Sequence, residues 1–275
     1  ADDRQRESDQ RNRCRAGAGI VRTTDNFGST GELPAHPELL DYLAVKFMDE
    51  GWSLKKLVRE MVLSRTYRQS SEFTVQAQKM DPDNRLLSHM NRKRLDAECL
   101  RDAMLMAAGT LNPTFGGLNV PDVKAVDAND QKIQNLEYGF AFTDTRRSVY
   151  TAAFRNVRHP LFEVFDFADI NQPIGQRTTS TVATQALYLM NNPEVINQAR
   201  AAADFVVRSR VENDERVSLA YQRSLSRLPS LEERKLTVDY LHRSASGNDS
   251  EAETRDTWAR LIQTLWATPE FRLVK

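Results

Sequence analysis

Apolar residues recur at helical spacing through most of the chain, and this periodicity constrains its fold more than any other feature. Within residues 37–50, Leu39, Leu43 and Phe47 fall on one line of a helix, with further apolar residues beside them. A second apolar stripe begins after Ser53, only a few residues beyond the first. We therefore predict two helices joined as an αα-hairpin.

Helix start and stop signals recur further along the chain. A third helix is predicted over 94–108, where a glycine follows the last residue. The dipeptide at 192–193, Asn-Pro, suits the cap and first position of another helix. Ser230 and Glu233 have the S-x-x-E spacing of a capping box. A last helix is predicted around 258–266, with tryptophan, leucine and isoleucine on its apolar face.

One long segment, 112–176, lacks this helical pattern and is rich in glycine and proline. Its one extended-looking run is 147–154. The expected fold class is therefore all-α: an irregular multi-helix domain with a long loop-rich insertion and at most one short β-hairpin.

The charge-dense first residues, which have almost nothing to bury, are expected to form a disordered or atypical tail. The rest is expected to form a single helical domain. The predicted boundaries are 1–16 for the tail and 17–275 for the domain, which divides into a helical N-terminal part (37–109), the insertion (112–176) and a helical C-terminal part (181–275).

The composition excludes several classes of protein. Lysine plus arginine and aspartate plus glutamate number 38 each, so the net charge is zero and gives no support to nucleic-acid binding. No apolar run approaches the ~18 residues that a membrane-spanning helix needs. The two cysteines, Cys14 and Cys99, form neither a disulfide framework nor a metal-binding set.

The familiar catalytic and cofactor motifs are absent from the sequence. It contains no Walker loop, dinucleotide fingerprint, G-x-S-x-G elbow, H-E-x-x-H or C-x-x-C-H motif. The four histidines lack metal-ligand spacing, so we predict no metal site and no cofactor. His36, which precedes a proline, is expected to cap or orient the first helix.

Charged residues at helical spacing are the best candidates for a site. Four of them lie at i, i+4, i+7 and i+8 on one face of the predicted third helix, opposite an apolar face. They are either ordinary surface ion pairs or a polar groove against which the insertion packs. The candidate residues of this polar cluster are Arg94, Glu98, Arg101, Asp102, Arg146, Arg147, Asp166, Asp169 and Arg177.

Several long motifs resemble those of a known family. They are RTTDNFGSTGELPAHPELLDYLA, RKRLDAECLRDAM, TRRSVY, FDFADINQPIGQRTTSTVATQALYLMNNPEV and the terminal WATPEFRLVK. Over about 17–275 the chain resembles a C-terminal domain family of planctomycete proteins, the cytochrome-associated domain of unknown function 1553 (PSD-type). The resemblance implies an extracytoplasmic location, in the periplasm or cell envelope, within a large exported protein. Other domains of that polypeptide, such as a cytochrome c-like module, are then the expected partners.

Two functions remain open at this point. The first is a helical accessory or interaction module of an exported multidomain protein, with no catalysis assigned. The alternative is a hydrolase that acts on an extracellular glycan through paired carboxylates such as Asp166 and Asp169. That chemistry needs one protonated and one ionised carboxyl group, separated by ~5–9.5 Å.

Overall fold

Helices make up nearly all of the regular structure in the computed structural model of this chain. The structure describes residues 19–23, 25–26, 29–72, 74–120, 138, 140–175, 177–209, 212–244 and 251–274. Within these ranges it contains eleven α-helices, one 3₁₀ helix and two strands of two residues each. The predicted all-α fold class is confirmed, and the two short strands among the described residues pair with each other.

The described residues fall into two compact units. The first unit contains the residues up to Arg94, with 174–175 and 273–274; the second contains the remainder. The elements of the first unit are α1 (Pro37–Asp49), α2 (Leu54–Leu63), α3 (Val75–Met80), β1 (Lys93–Arg94) and β2 (Leu273–Val274). Those of the second unit are α4 (Ala97–Ala108), a 3₁₀ helix (Ser148–Tyr150), α5 (Pro160–Val164), α6 (Ala183–Asn191), α7 (Pro193–Arg208), α8 (Asn213–Leu225), α9 (Leu231–Ser244), α10 (Glu251–Ala267) and α11 (Pro269–Arg272).

In the first unit, α1 and α2 form the predicted αα-hairpin. Gly51 and Trp52 make the turn with left-handed backbone, at φ 73° and 59°. Ser53 caps α2 by accepting a hydrogen bond from the backbone N–H of Lys56. His36 occupies the N-cap position of α1 but makes no capping bond. Its Nε2 instead lies 2.7 Å from the carbonyl oxygen of Arg85, which ties the start of α1 to a later loop.

The strand pair joins distant parts of the chain. Lys93 pairs with Val274 and Arg94 with Leu273, in antiparallel register. The prediction that Arg94 belongs to the third helix was therefore wrong, because that helix begins at Ala97, after Asp96 at its N-cap. The extended run expected over 147–154 contains the 3₁₀ helix instead.

The hydrophobic core lies in the second unit, where α7 packs against both α4 and α10. Leu100 on α4, Ala203 on α7 and Trp266 on α10 are almost completely buried. Two of the helix ends in this unit have the terminal residues that the sequence predicted. Gly109 closes α4 with left-handed backbone, and Asn192 caps α7.

The predicted loop-rich insertion, 112–176, is described only in part. It contains the 3₁₀ helix and the five-residue α5, and its other described residues form turns and irregular loops. Residues 121–137 lie outside the described residues, as does the tail predicted over 1–16. The single domain expected over 17–275 stays a prediction.

Candidate functional site

Six of the nine candidate polar residues lie on α4 or contact it, in the second unit. Glu98, Arg101 and Asp102 lie on that helix, and each binds a residue from the insertion or from the segment that follows it. Arg94 lies on β1, in the first unit.

Arg101 is the centre of the most buried part of this site, with only 3% of its surface exposed. Its Nη1 donates to the carbonyl oxygen of Arg146 at 3.1 Å and to Ser148 Oγ at 3.2 Å. Its Nη2 donates to the carbonyl oxygen of Asp144. The planar guanidinium thus binds the loop 144–148 through three acceptors, a geometry that a lysine ammonium cannot reproduce.

Asp102 holds the same loop from the next position on α4. Its Oδ1 accepts a 2.7 Å hydrogen bond from the backbone N–H of Ser148. Arg147 lies 4.0 Å from Asp102 Oδ2, but the Arg147 side chain is 62% exposed. Asp102 therefore fixes the loop backbone, whereas the Arg147 contact is a surface ion pair.

Arg146 makes hydrogen bonds within the loop 144–148 and to residues outside it. Its Nε donates to Asp144 Oδ2 at 2.7 Å, and its Nη1 and Nη2 donate to the carbonyl oxygens of Gly116 and Leu118. Burial raises the pKa of Asp144, but the hydrogen bonds from Arg146 outweigh it and leave the pKa below its usual value. Arg146 therefore links the loop 144–148 to residues 116–118.

Glu98 and Arg177 bind each other in a bidentate pair, with N–O distances of 2.7 and 2.8 Å. The Arg177 guanidinium also lies over the ring of Phe167, 5.2 Å from its centroid. Burial raises the pKa of Glu98, but Arg177 and a backbone hydrogen bond together outweigh it and leave the pKa below its usual value. This pair links Arg177, which precedes α6 in the chain, to α4.

The two aspartates of the predicted carboxylate pair each have their own partners. Asp166 accepts hydrogen bonds from the backbone N–H and the hydroxyl of Ser180, at 2.9 and 2.8 Å. Asp169 accepts from Arg158 and from the backbone N–H of Asn171. The bond from Asn171 is the main reason that the pKa of Asp169 lies below its usual value. Asp169 is therefore ionised, which does not suit a general acid.

Sequence reasoning missed two residues beside Arg101. Glu194 Oε2 lies 3.6 Å from His159 Nε2, and Glu194 Oε1 lies 3.9 Å from Arg101 Nε. Burial raises the pKa of Glu194, while burial and the Arg101 charge lower that of His159 to about 4. Both residues could have been found from X-Pro helix starts, since His159 caps α5 and Glu194 lies in the first turn of α7.

A small cavity lies next to this cluster. A cavity of about 10 Å³ is lined by Arg101, Glu194, Gln198 and apolar side chains, which is room for one water molecule. An open groove of about 480 Å³ lies elsewhere in the second unit, beside Asp204 and Phe205. Among the described lining residues of these two spaces there is no Asp166 and no Asp169. The contacts of Arg101 thus hold the loop 144–148 against α4.

The described part of the chain shows neither a metal-binding group nor a membrane-spanning helix. No group of three or more histidine, cysteine, aspartate or glutamate side chains there could hold a metal ion. Among the same residues, every helix is too short or too polar to cross a lipid bilayer.

A second candidate surface lies in the first unit, on the α1–α2 hairpin. Both helices are described throughout, and neither has a buried residue. The large apolar side chains that remain exposed are Leu39, Leu40, Tyr42, Val45, Met48, Leu54, Val58, Met61, Val62 and Leu63. Single exposed apolar residues are ordinary, but a contiguous set on two adjacent helices is typical of an interaction surface.

Comparison with known proteins gives one finding. The model of the PSD1 family, described as "Protein of unknown function (DUF1553)", matches residues 14–241. No curated protein and no solved structure matches the chain.

Proposed function

We propose that this chain, which belongs to the PSD1 family of proteins of unknown function (DUF1553), is a helical module that binds another protein. The observation that carries the proposal is the exposed apolar surface of the α1–α2 hairpin. Both helices are amphipathic, yet none of their apolar residues is buried. Amphipathic helices gain most of their stability by packing their apolar face against another element. A protein partner would supply that element.

The polar site on α4 supports different roles for the two units, stability for the second and binding for the first. The buried contacts of Arg101 and Asp102, together with the Glu98–Arg177 pair, hold loops of the second unit in place. The second unit also has a hydrophobic core of its own. We therefore assign the second unit to stability and the hairpin to binding.

The setting we propose is that of a large exported protein, as the resemblance to the planctomycete family implies. In that setting the chain acts as an accessory module, and other domains of the polypeptide, such as a cytochrome c-like module, lie within reach. Asp166 and Asp169 give no support to the alternative, a hydrolase that acts on an extracellular glycan. Asp166 is engaged by Ser180, and the pKa of Asp169 is lowered rather than raised.

Site-specific photo-crosslinking tests the proposal. A photoreactive benzoylphenylalanine replaces Val58 on the hairpin in the complete protein, within its own cells. Leu236 on α9, whose exposure is similar, is the matched control position. We expect one defined crosslinked product from Val58, identified by peptide mass spectrometry, and none from Leu236. Equal crosslinking at both positions, or none at Val58, would contradict the proposed function.

A further inference from the structure

The hairpin has one continuous apolar face, which follows from how α1 and α2 contact each other. Leu43, Phe47 and Leu57 are half-buried on their helices, and Lys46 Nζ on α1 binds Glu60 Oε1 on α2 at 2.7 Å. These residues mark the line of contact. The apolar residues next to this line on α1 are Leu40, Ala44 and Met48, and those on α2 are Leu54, Val58, Met61 and Val62.

Both sets lie on the same side of the hairpin. On each helix they are reached by rotating in the same sense from the contact line, at 100° per residue. Because the helices are antiparallel, the same rotation leads to the same side of the pair. All seven of these side chains are exposed. We call this set the hairpin face.

The outer edges of the hairpin face carry opposite charges. Beyond the apolar residues of the face, α1 has Glu38, Asp41 and Asp49 around the exposed Val45, whereas α2 has Lys55 and Arg59 beside the exposed Leu63. The face is therefore apolar in the middle, acidic along one long edge and basic along the other. Such a surface is complementary to itself.

We infer that the hairpin face binds the hairpin face of a second copy of this chain, forming a four-helix bundle. A two-fold axis parallel to the helices puts α1 of each copy against α2 of the other, so that acidic edges meet basic edges. The other two-fold axis within the plane would put α1 against α1, with like charges adjacent. Charge therefore selects the first arrangement, an isologous interface of the usual two-fold kind.

The small area of the hairpin face limits the affinity with which two copies can bind each other. Helices of 13 and 10 residues are roughly 15–20 Å long, and two of them side by side are about 20 Å wide. The face thus covers only a few hundred Å² per copy, below the ~800 Å² of a standard interface. We expect a weak dimer, with a dissociation constant of about 10–100 µM.

This inference rests on the proposed function, since it names the partner of the same surface. The first test is sedimentation equilibrium of the purified chain across that concentration range. We expect the average mass to rise from 31.4 kDa toward twice that value. Val58→Glu should keep the mass at that of one chain, with unchanged helix content by circular dichroism. A wild-type mass that stays at one chain, or association that Val58→Glu leaves intact, would overturn the inference.

Charge reversal provides the sharper test. Glu38→Lys/Asp41→Lys leaves only Asp49 as an acid on the α1 edge and gives that edge a net positive charge, whereas Lys55→Glu/Arg59→Glu makes both edges acidic. Each double variant alone should be monomeric, whereas an equimolar mixture of the two should form dimers again. A mixture that stays monomeric contradicts the arrangement.

The two proposals fail in different ways. If the purified chain is monomeric but Val58 in cells crosslinks to a different protein, the dimer is wrong and the binding function stands. If Val58 crosslinks to nothing in cells and the chain is monomeric, both fail.

Discussion

Arg101 and Arg147 differ in burial more than any other pair of candidate residues, although both were predicted from the same charge pattern. Arg101 is 3% exposed and its guanidinium donates to acceptors on the loop 144–148. Arg147 is 62% exposed on its side chain and lies 4.0 Å from one carboxylate oxygen. The chemistry of the side chain is identical in the two cases, so the surroundings decide its energetic effect.

Substitution of these two arginines by alanine should therefore have unequal effects. Arg101→Ala removes a buried guanidinium and its three hydrogen bonds to the loop 144–148, and we expect the free energy of unfolding to fall by about 3–5 kcal/mol. Arg147→Ala, the matched control, should cost about 0–1 kcal/mol. The denaturant midpoint measures both. A loss below about 1 kcal/mol for Arg101→Ala would mean that its loop contacts do not stabilise the fold.

His159 should make stability depend on pH. Its Nδ1 accepts a hydrogen bond from the backbone N–H of Leu161, so protonation there would break that bond. Burial, and secondly the charge of Arg101, lower its pKa from 6.5 to about 4. The unfolded chain then binds more protons than the folded chain between these values. Through His159 alone, the free energy of unfolding should fall by about 3 kcal/mol as the pH drops from 6.5 to 4.

The variant His159→Gln isolates this effect. The raised pKa of Glu194 has the opposite effect on stability, because it makes the folded chain more stable as the pH falls. Glu194 is present in both proteins. The stability difference between wild type and His159→Gln should therefore shrink as the pH falls through this window. A difference that is independent of pH would show that His159 does not titrate as described.

At the scale of single elements, the capping box of α9 offers a direct test of helix-end chemistry. Glu233 accepts from the backbone N–H of Ser230 at 2.7 Å, and Ser230 Oγ accepts from that of Glu233 at 3.1 Å. Ser230→Ala should lower the free energy of unfolding by about 1 kcal/mol, measured by urea midpoint. Ser230→Asn keeps a capping side chain and should be nearly neutral. Equal losses for both variants would contradict the capping role.

Helix ends were predictable because their signals are local. Ser53, Gly109, Asn192 and Ser230 each act on backbone groups within a few residues, so the spacing alone identified them. The strand pair could not be predicted in this way. It joins Lys93 and Val274, which lie far apart in the chain, and strands of two residues have no periodicity to detect.

The candidate site was predictable in its residues but not in its partners. Charge spacing identified Glu98, Arg101 and Asp102 on one helix face. Arg101, however, binds mainly backbone carbonyl oxygens that lie more than 40 residues away along the chain. Every residue has such a carbonyl group, so no side-chain pattern can indicate which ones an arginine will bind.

At the scale of the whole molecule, the two units differ in where their apolar residues lie. The core of the second unit is buried, whereas the apolar residues of the hairpin in the first unit are exposed. Two pairs of exposed methionines allow us to test, within one chain, whether a partner covers the hairpin face. Met48 and Met61 lie on the hairpin face and are 48% and 47% exposed; Met106 and Met190 lie elsewhere and are 62% and 58% exposed.

Methionine oxidation in cells that contain the native protein therefore tests the central claim most directly. Limited peroxide treatment followed by peptide mass spectrometry gives the rate of sulfoxide formation at each methionine. If the hairpin face is bound to a protein, Met48 and Met61 should oxidise several-fold more slowly than Met106 and Met190. Val58→Glu, which disrupts the face, should remove that protection. Comparable rates at all four methionines in the native protein would contradict the claim that this face binds a partner.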